Sequence, residues 1–223
     1  VQAGGLGGLM DLALHPRFAE NRLIYITYNK PAPGNNAGIL TLGRGRWDGS
    51  AITGFQDIFS APTGQAPSRI LFGRDGMLYM TTGSGGGANA GQGQEKNVHK
   101  GKVLRLRDDG TVPPDNPFPG SPVWTLGHRN PQGLAWHPDT KELFISEHGP
   151  SGEFGRRKDD EINVIEAGGN YGWPHVSGYR DDKVYVYANW SASSPAPCAS
   201  LSPAPGAPTP AAVPVQRETA WSH

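Results

Sequence analysis

Arg69-Ile-Leu-Phe-Gly-Arg74, Asp75-Gly76 and Met77-Leu-Tyr-Met-Thr-Thr82 form one continuous stretch, and its reading decides the fold. Two short apolar runs flank an Asp-Gly pair that accepts the backbone of a tight turn, so the stretch predicts a β-hairpin. The same pattern recurs on both sides of it. Upstream, Asp11-Leu-Ala-Leu-His-Pro16 is followed by a turn and then by Leu23-Ile-Tyr-Ile-Thr-Tyr28. Downstream, Gly133-Leu-Ala-Trp-His-Pro138 and Asp139-Thr140 lead into Glu142-Leu-Phe-Ile-Ser-Glu147. With His15, Gly73 and His137 taken as equivalent, the hairpins stand 58 and 64 positions apart.

Further strand candidates lie between them, at Gly38-Ile-Leu-Thr-Leu-Gly43, Lys102-Val-Leu-Arg-Leu-Arg107 and Glu161-Ile-Asn-Val-Ile-Glu166. A four-stranded unit repeating every 50 to 65 residues or so is what a β-propeller blade requires. A β-sandwich also uses short strands, but the repeated hairpin with a long return favours the propeller. The 223 residues would supply about three to four blades. So few blades seldom close a ring, and both termini read as cuts, so the chain is expected to be an incomplete part of a larger propeller.

Composition agrees. Gly (32) and Pro (21) make up about one residue in four, twice ordinary usage, and leave no long stretch for an α-helix. Lys and Arg (20) balance Asp and Glu (20) with no basic cluster, which argues against a nucleic-acid partner. No apolar run is long enough for a membrane span. The single cysteine, Cys198, can form neither an internal disulfide nor a cysteine-based metal site. Residues 1–193 are read as the partial propeller. The stretch 194–215, with seven prolines among Ala and Ser, is read as an extended loop or linker, and 216–223 as the truncated start of a further propeller segment.

Several motifs carry chemistry. Gly83-Ser-Gly-Gly-Gly-Ala88 has the spacing of a dinucleotide loop, but Asn89-Ala-Gly-Gln-Gly-Gln94 cannot supply the helix such a loop needs, so a flexible inter-strand loop is expected. Asp159-Asp160-Glu161 and Asp181-Asp182 cluster carboxylates among Gly-rich turns, which suits calcium; solvated charges at turns would look the same. Leu126-Gly-His-Arg-Asn-Pro-Gln-Gly133 places a fixed cation, Arg129, and an amide before a strand. His15 and His137 each precede Pro at equivalent turns and read as structural. The sequon Asn189-Trp-Ser191 matters only in a glycosylating host.

Gly8-Leu9 through His15-Pro16, Gly127-His-Arg-Asn-Pro-Gln-Gly133, Glu147-His-Gly-Pro150, Asp160-Glu-Ile-Asn163 and Gly169-Asn-Tyr-Gly-Trp-Pro174 together resemble the soluble dehydrogenases of glucose and other aldoses that depend on pyrroloquinoline quinone (PQQ). The resemblance runs from about Gly7 to Asn189. It implies a six-bladed propeller that binds PQQ and calcium, with an external electron acceptor and a periplasmic or secreted location. It also implies oxidation of an aldose at the anomeric carbon to the lactone, with hydride passed to the quinone. On that pattern Arg129 matches the residue that polarises the quinone and Asn130 its neighbour beside the cofactor. Gly149 and Pro150 match carbonyl ligands of the cofactor's calcium. Glu161, Tyr171 (through its carbonyl) and Asp181 match ligands of a second, structural calcium.

There are departures from the pattern. Gln65 stands at the position of the family's base His, and Gln cannot accept a proton at neutral pH. Leu6 replaces a cofactor-contacting Gln, Ser84 stands where Gly-Asp is usual, and His148 replaces a second cofactor-contacting Gln, which makes it a candidate substitute base. The alternative is therefore a catalytically impaired calcium-binding propeller that acts as an interaction module. A calcium-dependent propeller lactonase would share fold and metal, but the motifs match the dehydrogenases.

Overall fold

The computed structural model describes residues 1, 7–32, 35–61, 67–84, 87–153, 159–175 and 177. Eleven strands are described: β1 (Leu9–Leu14), β2 (Leu23–Ala32), β3 (Asn35–Trp47), β4 (Ile52–Ala61), β5 (Ile70–Phe72), β6 (Leu78–Thr82), β7 (Lys102–Leu106), β8 (Val123–Leu126), β9 (Pro131–Trp136), β10 (Leu143–Glu147) and β11 (Glu161–Ile165). They form three antiparallel meanders, β1-β2-β3-β4, β5-β6-β7-β8 and β9-β10-β11, each in chain order. Each of the three hairpins read from the sequence begins one of these sheets. The first strands of the three sheets, β1, β5 and β9, lie against one another in succession. That is the arrangement of blades set around a common axis.

The turns of those hairpins close with local hydrogen bonds. His15 Nδ1 accepts from Arg17 N at 3.0 Å and bonds Asn21 Nδ2 at 2.7 Å. His137 Nδ1 accepts from Asp139 N at 3.2 Å and Thr140 N at 3.1 Å. Asp75 Oδ1 does the same work in the middle blade, accepting from Met77 N at 3.1 Å. The structural reading of His15 and His137 therefore holds.

The second sheet lies between the other two. Every residue of β6 and β7 is buried, because both faces of this blade are covered. Leu78, Met80, Leu104 and Leu106 pack towards Tyr25, Leu40 and Leu42 of the first blade. Tyr79 and Val103, one position out of phase, pack towards Leu143, Ile145 and Ile165 of the third. The outer faces lack such cover among the described residues: Leu9, Leu12 and Leu14 are 71 %, 54 % and 48 % exposed, and Ile162 is 55 % exposed.

The stretch Asn89–Gln94, read as unable to supply a helix, belongs instead to a 3-10 helix, Gly87–Gln94, which begins within the last two residues of the expected flexible loop. Small residues permit its tight winding, and tertiary hydrogen bonds hold it. Gly127 N donates to Gly93 O at 2.8 Å, and the buried Lys102 ammonium donates to the carbonyls of Gln92 (3.0 Å), Gly93 (2.9 Å) and Lys100 (2.5 Å). The only α-helix among the described residues is the single turn Phe18–Asn21, and none is long and apolar enough to cross a membrane. Leu6, Gln65, Asp181, Asp182, Asn189 and Cys198, and the segments 194–215 and 216–223, lie outside the described residues.

Candidate cofactor and metal site

Antiparallel register puts the three hairpin turns at one end of the blades and the remaining loops at the other. Thr82 pairs with Lys102, Lys102 with Leu126, and Glu147 with both Pro131 and Glu161. The connections 83–101, 127–130 and 148–160 therefore leave their strands at the same end, opposite His15, Gly73 and His137.

Here the segment Leu126–Asn130 threads between two neighbouring loops. Its backbone donates from Gly127 to Gly93 and from His128 to Gly101 (3.2 Å), and it accepts from Tyr171 at Leu126 O (2.9 Å) and from Trp173 at Gly127 O (2.9 Å). Gly127 is required by both criteria that matter: its φ is +79°, and a Cβ would lie 2.2 Å from Asn170 Oδ1. The loop 170–173 is clamped in turn by a reciprocal amide pair. Gln94 Nε2 donates to Asn170 Oδ1 at 3.0 Å and to Trp173 O at 2.7 Å, while Asn170 Nδ2 donates to Gln94 Oε1 at 2.7 Å.

Arg129 emerges from this packing buried, 6 % exposed. Its Nη1 donates to His148 O at 3.0 Å and its Nη2 to Ser151 Oγ at 3.2 Å and Glu153 Oε1 at 2.5 Å. The guanidinium lies over the Trp173 ring, 5.6 Å from the centroid. Its Nε has no hydrogen-bond partner among the described residues, and neither does the buried Oδ1 of the adjacent Asn130. An orphaned donor beside an orphaned acceptor, both buried, marks a place prepared for a polar ligand.

Glu147 supports the base of the site. It accepts from Arg129 N through Oε1 and bonds His128 Nδ1 through Oε2 at 2.8 Å. His128 is fully buried, bonds Thr125 Oγ1 at 2.8 Å and stacks on Tyr171 at 4.6 Å. Ser84, from the middle blade, donates through N to Arg129 O (2.8 Å) and through Oγ to His128 O (3.0 Å).

A small recess joins these groups, lined by Arg129, Glu147, Gly149, Asp159, Glu161, Tyr171, Trp173 and Ser177. Four residues assigned from the sequence, Arg129, Gly149, Glu161 and Tyr171, thus meet at one place, with Asn130, His148 and Pro150 beside it in the chain. Glu147 and Glu161 stand directly opposite each other on β10 and β11, a like-charge pairing that costs stability unless a cation sits nearby. Carboxylates and loop carbonyls are the oxygen donors calcium takes. No three Asp, Glu, His or Cys side chains among the described residues form a metal cluster by themselves, so backbone carbonyls would have to complete any such set. The Tyr171 hydroxyl is already committed, donating to Val164 O at 2.6 Å and accepting from Glu166 N at 2.9 Å, and burial pushes its pKa up to about 12. Only its carbonyl is left for a metal.

His148 stands at the rim, half exposed, with Nδ1 3.0 Å from Asp160 Oδ1. Asp160 also accepts from Gly149 N at 2.8 Å. That backbone donor, with His148 second, holds its carboxyl below the usual range. Of the residues around the site, Glu147, His128, Glu153, Trp173 and Gln94 were not singled out by sequence reading. Glu147, His128 and Trp173 lie inside quoted motifs; Gln94 and Glu153 carry no local signal.

The blades thus carry a guanidinium, an amide and convergent carboxylates in the loops at one end of a β-propeller. The chain belongs to the Glucose / Sorbosone dehydrogenase family, whose profile matches residues 1–217. It is 38 % identical over 251 residues to quinoprotein glucose dehydrogenase B of Acinetobacter calcoaceticus, covering 99 % of this chain and 50 % of that protein. It is 37 % identical over 186 residues to aldose sugar dehydrogenase YliI of Escherichia coli, covering 78 % and 48 %. The PQQ-bound aldose sugar dehydrogenase of Streptomyces coelicolor superposes with a TM-score of 0.68 at 35 % identity, covering 83 % of this chain and 54 % of that one. The chain spans about half the length of the relatives it matches.

Proposed function

We propose that the protein is a PQQ-dependent sugar dehydrogenase that oxidises an aldose at the anomeric carbon to the lactone, assisted by calcium, and passes the electrons to an external acceptor. The observation that carries this reading is the buried, unsatisfied Nε of Arg129 at a carboxylate-lined recess in a member of this family, with the buried, unsatisfied Oδ1 of Asn130 next along the chain. By resemblance, the location is periplasmic or secreted.

Bound PQQ would supply the two-electron acceptor for hydride. Arg129 and Asn130 would hold it, with a calcium ion on the carbonyls of Gly149 and Pro150. A second calcium would take Glu161, the Tyr171 carbonyl and Asp181. Arg129, fixed, buried and set over Trp173, is suited to stabilise negative charge developing on an adjacent oxygen. Glu147 fixes the Arg129 backbone, and Ser84 fixes the carbonyl side of the same peptide segment. The proton of the sugar's hydroxyl requires a base. His148 is suited to that part, because Asp160 engages Nδ1 and leaves Nε2 to take the proton.

Gln65 favours a second reading, a calcium-binding propeller that has lost the chemistry. One experiment separates the two. The full-length protein is assayed with calcium, PQQ, an aldose and an artificial electron acceptor, as wild type and as Gln65→His. Turnover in the wild type that disappears in His148→Ala supports the dehydrogenase with a substitute base. A gain of roughly 10²–10⁴-fold in Gln65→His identifies the base as the missing part. No turnover and no PQQ binding in either protein leaves the interaction module.

A further inference from the structure

Another residue of the chain already sits on the Arg129 guanidinium. Nη1 is bound to the His148 carbonyl at 3.0 Å, and Nε has no partner among the described residues. Nη2 is the remaining corner of the fork, and Glu153 Oε1 takes it at 2.5 Å. Glu153 is itself held for this role: its second oxygen, Oε2, accepts from Ser151 N at 2.5 Å, while Ser151 Oγ accepts from the same Nη2. The two side chains are only 7 % and 18 % exposed. Burial raises the Glu153 pKa, but the hydrogen bond from Arg129, the backbone amides of Glu153 and Ser151 and the guanidinium charge together keep the carboxyl below its usual range.

A carboxylate this dry, on the guanidinium that the proposed chemistry needs, fits poorly with a purely structural brace. A brace would hold an edge that the ligand does not use. PQQ carries three carboxylates and a quinone, so it needs a cation and is repelled by an anion standing beside it. We infer that Glu153 is a built-in competitor for Arg129: its carboxylate holds the Nη2 corner of a guanidinium that the cofactor would engage, so that this residue sets the affinity for PQQ. The inference rests on the function proposed above. It concerns the three residues Ser151–Glu153, a short strap directly after the Gly149-Pro150 carbonyls, and assigns to them control of loading rather than any part in the chemistry.

The test is PQQ binding to the cofactor-free full-length protein at fixed millimolar calcium, followed by quenching of tryptophan fluorescence and by calorimetry. Wild type, Glu153→Gln and Glu153→Ala are compared, the two variants guarding against a folding defect in either one. The expected result is a Kd about tenfold lower in both variants, together with a lower apo-protein Tm because the ion pair is lost. A brace would predict weaker binding alongside weaker stability, so the opposite signs are the signature. Unchanged or weaker binding in both variants, with wild type still binding PQQ, overturns the competitor and leaves the proposed function standing. Binding by the variants alone supports the competitor in its strongest form. No PQQ binding by any of the three overturns the proposed function and this inference together.

Discussion

Arg129 shows how much of a functional residue is decided by what its neighbours already hold. Its charge is fixed by chemistry, but its direction comes from Glu147 on its backbone, His148 O on Nη1 and Trp173 beneath its plane. Arg129→Lys keeps the charge and loses the planar fork. It should lower turnover by about 10²–10³-fold with PQQ still binding, as measured by steady-state kinetics alongside a binding titration. A second residue-scale expectation lies in the first blade, away from the site. Asp57 accepts from Lys30 Nζ at 2.5 Å and from the Tyr28 hydroxyl, and these two, Lys30 first, lower its pKa. A carboxyl with a folded pKa below its unfolded value stabilises the protein above pH about 4, and loses that contribution as the pH falls through the folded value. Asp57→Asn should therefore cost about 1 kcal/mol at pH 7 and progressively less as the pH is lowered below about 4, read from urea melts across that range. Motif reading identified Arg129, Asn130, Gly149, Glu161 and Tyr171, because their types and order lie within short stretches. It missed Glu153, whose partner is 24 positions away and whose flanking sequence has no signature.

Among the elements, the hairpins and the connections behave differently. The three hairpin turns were legible because the groups that close them, His15, Asp75 and His137, act over two to six positions. Strands β3, β7 and β11 were legible as short apolar-rich runs between the hairpins. Strands β4 and β8 were not singled out: β4 is largely exposed, with an irregular burial pattern, and β8 is only four residues long. The 3-10 helix Gly87–Gln94 was illegible for another reason. Its intrinsic preference is for open loop, and what winds it is the Gly127 amide, the Lys102 ammonium and the Gln94–Asn170 pair. Burial pushes the Lys102 ammonium down to about 7, while its three carbonyl acceptors favour the charged form. Gln94→Ala removes the clamp between the middle and third blades and leaves Asn170 Nδ2 without its acceptor, while Asn170 Oδ1 keeps the Gly172 amide. It should cost about 2 kcal/mol in urea melts and weaken calcium binding, whereas Gln56→Ala on the exposed part of β4 should do neither.

At the level of the whole molecule, the middle blade owes its burial to neighbours on both faces, and the site owes its existence to two adjacent blades contributing loops at one end. Glu147 and Glu161 oppose each other across β10 and β11, so a cation bound at the proposed site would reduce the repulsion between them. Millimolar calcium should raise the Tm of the full-length protein and a chelator should reverse the shift. The gain would correspond to about 2.7 kcal/mol at a hundredfold excess over Kd. No shift at that concentration would remove calcium from the proposed site.

The amino-acid sequence by itself determined the repeating hairpin, the blade period, the all-β class and the family motifs, since each depends on interactions that close within a few residues along the chain. The tertiary structure alone decided which buried groups meet: His128 with Glu147, Gln94 with Asn170, and Glu153 on the edge of Arg129 that a ligand would need. Those pairings join residues 19, 76 and 24 positions apart. They form only because stacked blades bring separate loops to one end and leave no water to satisfy them, so each buried group must find its partner in another loop.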